Sequence, residues 1–342
     1  MQAPSTETNA QAAGQPRKWR QAWVWAVGLG LMAWLLHKVP LDAVLTAMRR
    51  PDPSVWAVTL LGLLFSYLLR AGRLQVVMGL GMDAPAGGSA WLGLRLDALR
   101  VILMHNAAVN LLPMRAGELS FPFLASRILK MPVSRAVASL LWMRLQDMAV
   151  LVSLGLLCWP SLATAWRAAG LLAVVIGWHA GVRLLGWLQR QQGGQGEQGE
   201  KIGMIAKLHQ ALLDPHHHHW STWAFTWANW GIKMLAGAWL MAAIGGFSLG
   251  AAWAGALGGE LAAIVPIQGP AGFGTYEAGV WGGLALATHQ AAAMLPWAVP
   301  AALALHLCFL LCAVLAGALA WGLSSTSLTH TQGLPANTRI PD

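Results

Sequence analysis

The sequence predicts an all-α fold: a polytopic membrane helix bundle arranged as a 3+3 inverted-topology repeat with two re-entrant broken-helix hairpins. Three observations carry this. The chain is 56% hydrophobic and only 10% charged, against about 25% charged in an average soluble domain. Six apolar runs, at 19–39, 54–72, 136–158, 166–188, 220–245 and 294–322, reach the ~20 residues that a membrane span needs. Two more apolar segments, 90–130 and 250–290, are each interrupted near the middle by a similar motif.

Taken in order, residues 1–16 are polar and read as a disordered cytoplasmic tail. Arg17, Lys18 and Arg20 then precede the first apolar run, which lacks a small-residue cleavage site and reads as a retained helix with its start inside. The second run closes on Arg70 and Arg73, which places that end inside too. Arg127, Lys130 and Arg135 flank the third full span on the inside. The loops at 160–165 and 246–250 carry no Lys or Arg and belong outside. The segment between Arg73 and Arg135 therefore begins and ends on one side. Its first arm, 99–112, is about 14 residues or ~21 Å as a helix, short of ~30 Å of hydrocarbon. It reads as a hairpin entering from the cytoplasm with its tip at Pro113 and Gly117. The same logic makes 250–290 a hairpin entering from outside, with its tip at Pro266, Gly272 and Gly274.

Segments 17–188 and 220–323 thus form one membrane domain, its halves covering about 17–160 and 161–323. Between them, 189–219 is a cytoplasmic linker, glycine- and glutamine-rich at its start. Residues 324–342 read as a disordered tail, and both termini as cytoplasmic. The 20 Trp residues often flank apolar runs, where amphipathic rings favour the headgroup level. The net charge of +9 serves topology and anionic headgroups. No basic stripe with interleaved aromatics points to nucleic acid.

Candidate functional residues cluster at the breaks. Glu118 and Glu277 each follow shortly after glycine at the start of a returning helix. Carboxylates there are either caps or members of a pathway, because charge at membrane depth is costly. Arg144 and Asp147, three apart on one helix face, are either a neutralised pair or a lipid-phosphate site with Arg144 as its fork. Lys233 lies mid-span and needs an internal partner, for which Glu260 is available. Arg115 is a second phosphate candidate. Asn110, with Asn106 one turn before it, either contacts substrate or satisfies backbone freed by the break. Gly255, Gly258, Gly259, Gly279 and Gly283 form small-residue packing faces. The four histidines 216–219 read as an interfacial polar anchor rather than a metal site. Cys158, Cys308 and Cys312 form no disulfide framework and read as small packing residues. No cofactor or metal is implied. Nucleophile elbow, P-loop, dinucleotide and metalloprotease motifs are absent, so an ATP-driven pump is not expected from this chain.

The ordered set Asn110…Pro113…Gly117-Glu118, Arg144…Asp147 and Pro266…Gly272…Gly274…Glu277 resembles the lysylphosphatidylglycerol synthase transmembrane family, also called flippase-like or UPF0104 proteins. The likeness runs over roughly 20–322. The second tip departs from the usual Pro-Gly-Gly pattern, with Ala271 between Pro270 and Gly272. The resemblance implies an integral protein of the bacterial inner membrane that moves or handles lipids. Members that synthesise aminoacylated lipid carry a fused cytosolic transferase domain. This sequence shows none, so no enzyme is expected. The expected function is translocation of a phospholipid or a lipid-linked biosynthetic intermediate. A non-transporting scaffold of a lipid or polysaccharide biosynthesis complex is the alternative. Membrane lipids, and biosynthetic enzymes, are the expected partners.

Overall fold

A computed structural model describes residues 41–79, 95–193, 211–264, 269–288 and 297–331. The expected span 19–39 and the tip residue Pro266 lie outside these residues. Among the described residues the chain is helical, without strands. The helices are α1 (Leu41–Arg49), α2 (Pro53–Val77), α3 (Leu96–Leu111), α4 (Ser120–Ile128), α5 (Val133–Cys158), α6 (Thr164–Gly193), α7 (Trp220–Gly245), α8 (Leu249–Ala262), α9 (Thr275–Thr288) and α10 (Ala298–Thr331).

Proline and glycine set most boundaries. Pro53 sits in the first turn of α2 and Pro132 directly precedes α5, positions where a missing N–H costs nothing. Leu112 is pushed to an extended ψ of 142° before Pro113, which ends α3. Gly246 takes φ 68° after α7 and lets the chain turn. Ser248 then caps α8 by accepting the Ala251 N–H at 3.3 Å. The axes of α7 and α8 differ by 118° across this corner.

Helices α2, α5, α6 (over Thr164–Leu188) and α10 (over Ala298–Leu323) have the length and apolar composition to cross a membrane, and the bent pair α7–α8 meets the same criterion only when taken together, as a broken span or a re-entrant loop. The packing pattern matches that solvent. Helix α6 buries none of its apolar window, and Trp166, Leu172, Val175, Ile176, Leu184 and Trp187 all face outward. In water such a face would be a large sticky patch; in hydrocarbon it is ordinary outer surface. The protein is membrane-embedded.

The core forms where α10 meets α3 and α9, and where α2 meets α7. Buried alanines at 301, 302, 304, 313, 316 and 320, with Cys308 and Cys312, give α10 a small-residue face that lets neighbours approach. The glycine faces meet each other. A Cβ on Gly258 would lie 2.2 Å from the Gly279 carbonyl oxygen, and one on Gly283 would lie 2.1 Å from that of Ala254. Thus α8 and α9 pack backbone to backbone.

Three readings of the sequence change. Arg70 and Arg73 are not a terminal flank of the second span. Helix α2 continues to Val77, and Arg73 is buried within the bundle, held by a carboxylate described below. The histidine run is not a uniformly solvated anchor, because its second member turns inward. Pro215–His218 forms a 3₁₀ turn with His217 fully buried, stacked on Trp142 and bonded to Ser139 at 3.0 Å. The Trp142 indole N–H donates to the His217 carbonyl at 2.8 Å. Residues 211–219, the end of the expected linker, therefore dock on α5, and Leu212 packs beside Ala138 and Trp142. Finally, α10 continues beyond residue 323 to Thr331, where a disordered tail was expected.

Candidate functional site

The first break begins at Pro113, which opens a 3₁₀ turn over Pro113–Leu119 before α4. Gly117 lets this turn lie directly on α3: a Cβ there would sit 2.3 Å from the Ala108 carbonyl. The second break is a short 3₁₀ turn, Pro270–Gly272, that leads into α9. Its backbone is left-handed at Ala271 (φ 53°), Gly272 (φ 85°) and Gly274 (φ 83°). Glycine adopts such angles freely and alanine does not. Ala271 thus occupies the kind of position that a Pro-Gly-Gly sequence would fill without strain. The two 3₁₀ turns touch each other, although they are separated by much of the chain.

Beside them lies a cavity of ≈ 610 Å³. Helix α5 contributes an apolar wall of Val137, Leu141, Met148 and Leu151. Val137, Leu141 and Met148 are also exposed, so this wall continues into the outer apolar surface. The lining also carries Arg70, Asn106, Asn110, Glu118, Arg144, Asp147, Lys233, Glu260 and His306, with Arg144 and Asp147 standing among the apolar residues of α5.

Most of these charges are paired. Asp147 is the hub. It accepts from Arg73 Nη1 at 2.6 Å and Nη2 at 3.3 Å, from the Trp230 indole at 2.9 Å, and from Arg144 Nη1 at 3.3 Å. Arg73 also donates to Thr226 at 2.8 Å. Arg144 reaches Glu118 more closely, at 2.7 Å. The Arg144–Asp147 pair read from spacing is thus present, and Arg144 also ties the first break to α5. With a carboxylate on each side it is a neutralised cation, the first of the two readings that its spacing offered. Lys233 bonds Glu260 at 2.7 Å, as expected, and its ammonium lies 5.0 Å and 4.8 Å from the Trp230 and Phe309 ring centres. His105 bonds Ser120 at 3.0 Å and stands 3.7 Å from Glu118.

Arg70 differs. Its bonded partner among the described residues is the neutral amide oxygen of Asn106. Asn106 is oriented by donating its own Nδ2–H to the Ile102 carbonyl at 2.8 Å. Asn110 donates in the same way to the Asn106 carbonyl at 2.7 Å, which satisfies backbone next to the break. The backbone of Arg115 lies in the first 3₁₀ turn; its side chain is outside the described residues.

Glu277 is both a cap and part of a polar cluster. It accepts the Gly274 N–H at 2.7 Å, the return half of a capping box. Its other oxygen stands 2.5 Å from His306 Nδ1, while His306 Nε2 contacts the Ala271 carbonyl at 2.9 Å. A carbonyl only accepts, so Nε2 carries a hydrogen. One further proton then holds the 2.5 Å contact, on the ring or on the carboxyl. Either placement leaves the pair electrically neutral. Sequence reasoning missed His306, Arg70 and Arg73; each is a lone charge or imidazole inside an apolar helix, a pattern that itself marks an internal partner.

Among the described residues no group of three or more His, Cys, Asp and Glu is arranged to hold a metal ion. No family model, curated protein or solved structure matches the chain.

Proposed function

We propose that this chain is an integral lipid translocator of the bacterial inner membrane, moving a phospholipid or lipid-linked intermediate. The observation that supports it most is a cavity lined by both ionised and apolar side chains. Ionised groups and a wall continuous with the outer apolar surface offer an amphipathic molecule a place for each of its parts. The halves are read as inverted repeats of span, span, hairpin and span: the expected span 19–39, α2, the broken segment α3–α4 and α5 in the first, and α6, α7, the broken segment α8–α9 and α10 in the second. Helices α3, α8 and α9, of 16, 14 and 14 residues, span roughly 21–24 Å. That length suits re-entrant arms better than full crossings. Both termini are assigned to the cytoplasm. The carboxylates at the two breaks are read as moving parts of one pathway. The chemistry is binding and movement rather than catalysis.

The test is flux of a fluorescent phospholipid in proteoliposomes. Wild-type protein should accelerate movement between leaflets over empty vesicles. Glu118→Gln and Glu277→Gln should each lower the rate at least about tenfold while the protein remains folded, because Gln keeps the shape and loses the charge. Flux equal to that of empty vesicles would reject translocation and leave the scaffold reading.

A further inference from the structure

We infer that Arg70 is the anion-binding residue of this cavity, and that its ligand is a singly charged phosphate diester; this rests on the lipid reading above. The argument is one of charge and satisfaction. Among the described residues four cations stand in or directly behind the cavity wall: Arg70, Arg73, Arg144 and Lys233. Three carboxylates face them: Glu118, Asp147 and Glu260. The Glu277–His306 pair adds nothing, being neutral by its hydrogen bonding. One positive charge is left over, and the geometry says whose it is. Arg73, Arg144 and Lys233 each have a carboxylate within 3.3 Å. Arg70 has none within 4.0 Å among the described residues, and one of its nitrogens rests on the Asn106 amide.

An uncompensated guanidinium inside an apolar bundle is expensive. Nothing in packing requires it, because a neutral residue would leave the network of Asp147 balanced. A ligand bearing one negative charge removes the cost. The guanidinium presents a planar fork suited to two oxygens of a phosphate. A phosphate diester carries one charge at neutral pH and fits the excess, whereas a monoester carries about −1.5 to −2. Apolar residues of α5 line the same cavity and offer a surface for chains attached to that diester. The α7 indole of Trp230 lies 5.8 Å from the Arg70 guanidinium carbon and braces it from one side.

Asn106 supplies an unusual test. Asn106→Asp puts a carboxylate against Arg70 without changing side-chain size, so it neutralises the site in place. The experiment uses the full chain in uncharged detergent and calorimetric titration with three probes: dihexanoyl phosphatidylglycerol, uncharged dihexanoyl glycerol and inorganic phosphate. Wild type should bind the phosphatidylglycerol and bind the uncharged lipid far more weakly. Arg70→Gln and Asn106→Asp should each weaken phosphatidylglycerol binding roughly 10- to 100-fold; Asn106→Asp exchanges the Nδ2–H bond to the Ile102 carbonyl for an ion pair with Arg70. This second variant keeps the test informative if Arg70→Gln misfolds. Unchanged binding in both variants would overturn the Arg70 site while leaving the lipid reading intact. No binding of either lipid by wild type would overturn both. Arg70-dependent binding of inorganic phosphate as tight as that of the lipid would overturn the diester assignment and make the source a free phosphate.

Discussion

The contact between Arg144 and Glu118 fastens the first helix break to α5, and its strength can be worked from the structure. The pair is 2.7 Å apart with side chains 31% and 22% exposed. Exposed ion pairs are worth about 0–1 kcal/mol and loss of one partner from a buried pair costs about 3–5 kcal/mol. Intermediate exposure places this pair at about 1–3 kcal/mol after discounting for screening. The second contact of Arg144, to Asp147, is longer at 3.3 Å, and Asp147 retains Arg73 at 2.6 Å when Arg144 is gone. A double-mutant cycle of Glu118→Gln with Arg144→Gln should therefore give a coupling energy above about 1 kcal/mol. The cycle of Asp147→Asn with Arg144→Gln should give less, even though the single change Asp147→Asn is the most damaging, because it takes the carboxylate from the buried Arg73 guanidinium. Reversible unfolding in mixed micelles, read by circular dichroism, supplies the free energies. A coupling below about 0.5 kcal/mol for Glu118–Arg144, or a larger one for Asp147–Arg144, would refute the latch.

Two further predictions follow from packing and from burial. Gly282 and Gly283 are neighbours on α9, yet a Cβ at Gly282 meets nothing within 4 Å while one at Gly283 would lie 2.1 Å from the Ala254 carbonyl. Gly282→Ala should hold or raise the melting temperature, gaining up to about 0.5–1 kcal/mol of helix preference, whereas Gly283→Ala should lower it by about 1–3 kcal/mol or more; equal melting would exclude the backbone seam. Burial pushes the His217 imidazole, outside the spans, below its ordinary value. Unfolded chains then bind a proton, near pH 6.5, that the folded chain refuses, so the contribution of His217 is complete above about pH 6.5 and declines as pH falls through it. The wild type should lose stability on acidification over that range more steeply than His217→Gln, and parallel curves would contradict the burial.

How much of this was legible in the sequence depends on the range of the contact. Pro113, Gly117 and Gly272 marked the breaks because proline and glycine act locally on the backbone. The face shared by Arg144 and Asp147 followed from helical spacing alone. Lys233 was traced to Glu260 because a mid-span ammonium must find a carboxylate, and few were on offer. The Glu118–Arg144 and Arg73–Asp147 bonds join residues 26 and 74 positions apart, and no periodicity reports such distances. Arg70 and Arg73 were misplaced for a specific reason. Cations near the end of an apolar run look the same whether they flank the membrane or turn inward to a partner. The histidines were misread because a polar run near a helix start is ordinarily solvated, and only the ring stacking of Trp142 on His217 shows otherwise.

The seam between α8 and α9 bears on how this protein would look in a deep mutational scan. Gly258, Gly279 and Gly283 have no side chain and touch only backbone and small neighbours, yet any larger residue there must force two helices apart. Their substitution profiles would be as intolerant as that of Arg70. A map of intolerance alone would therefore draw a false second site on α8 and α9. Scoring surface abundance beside transport separates the two groups, since the glycine variants should lose both and the cavity variants chiefly the second.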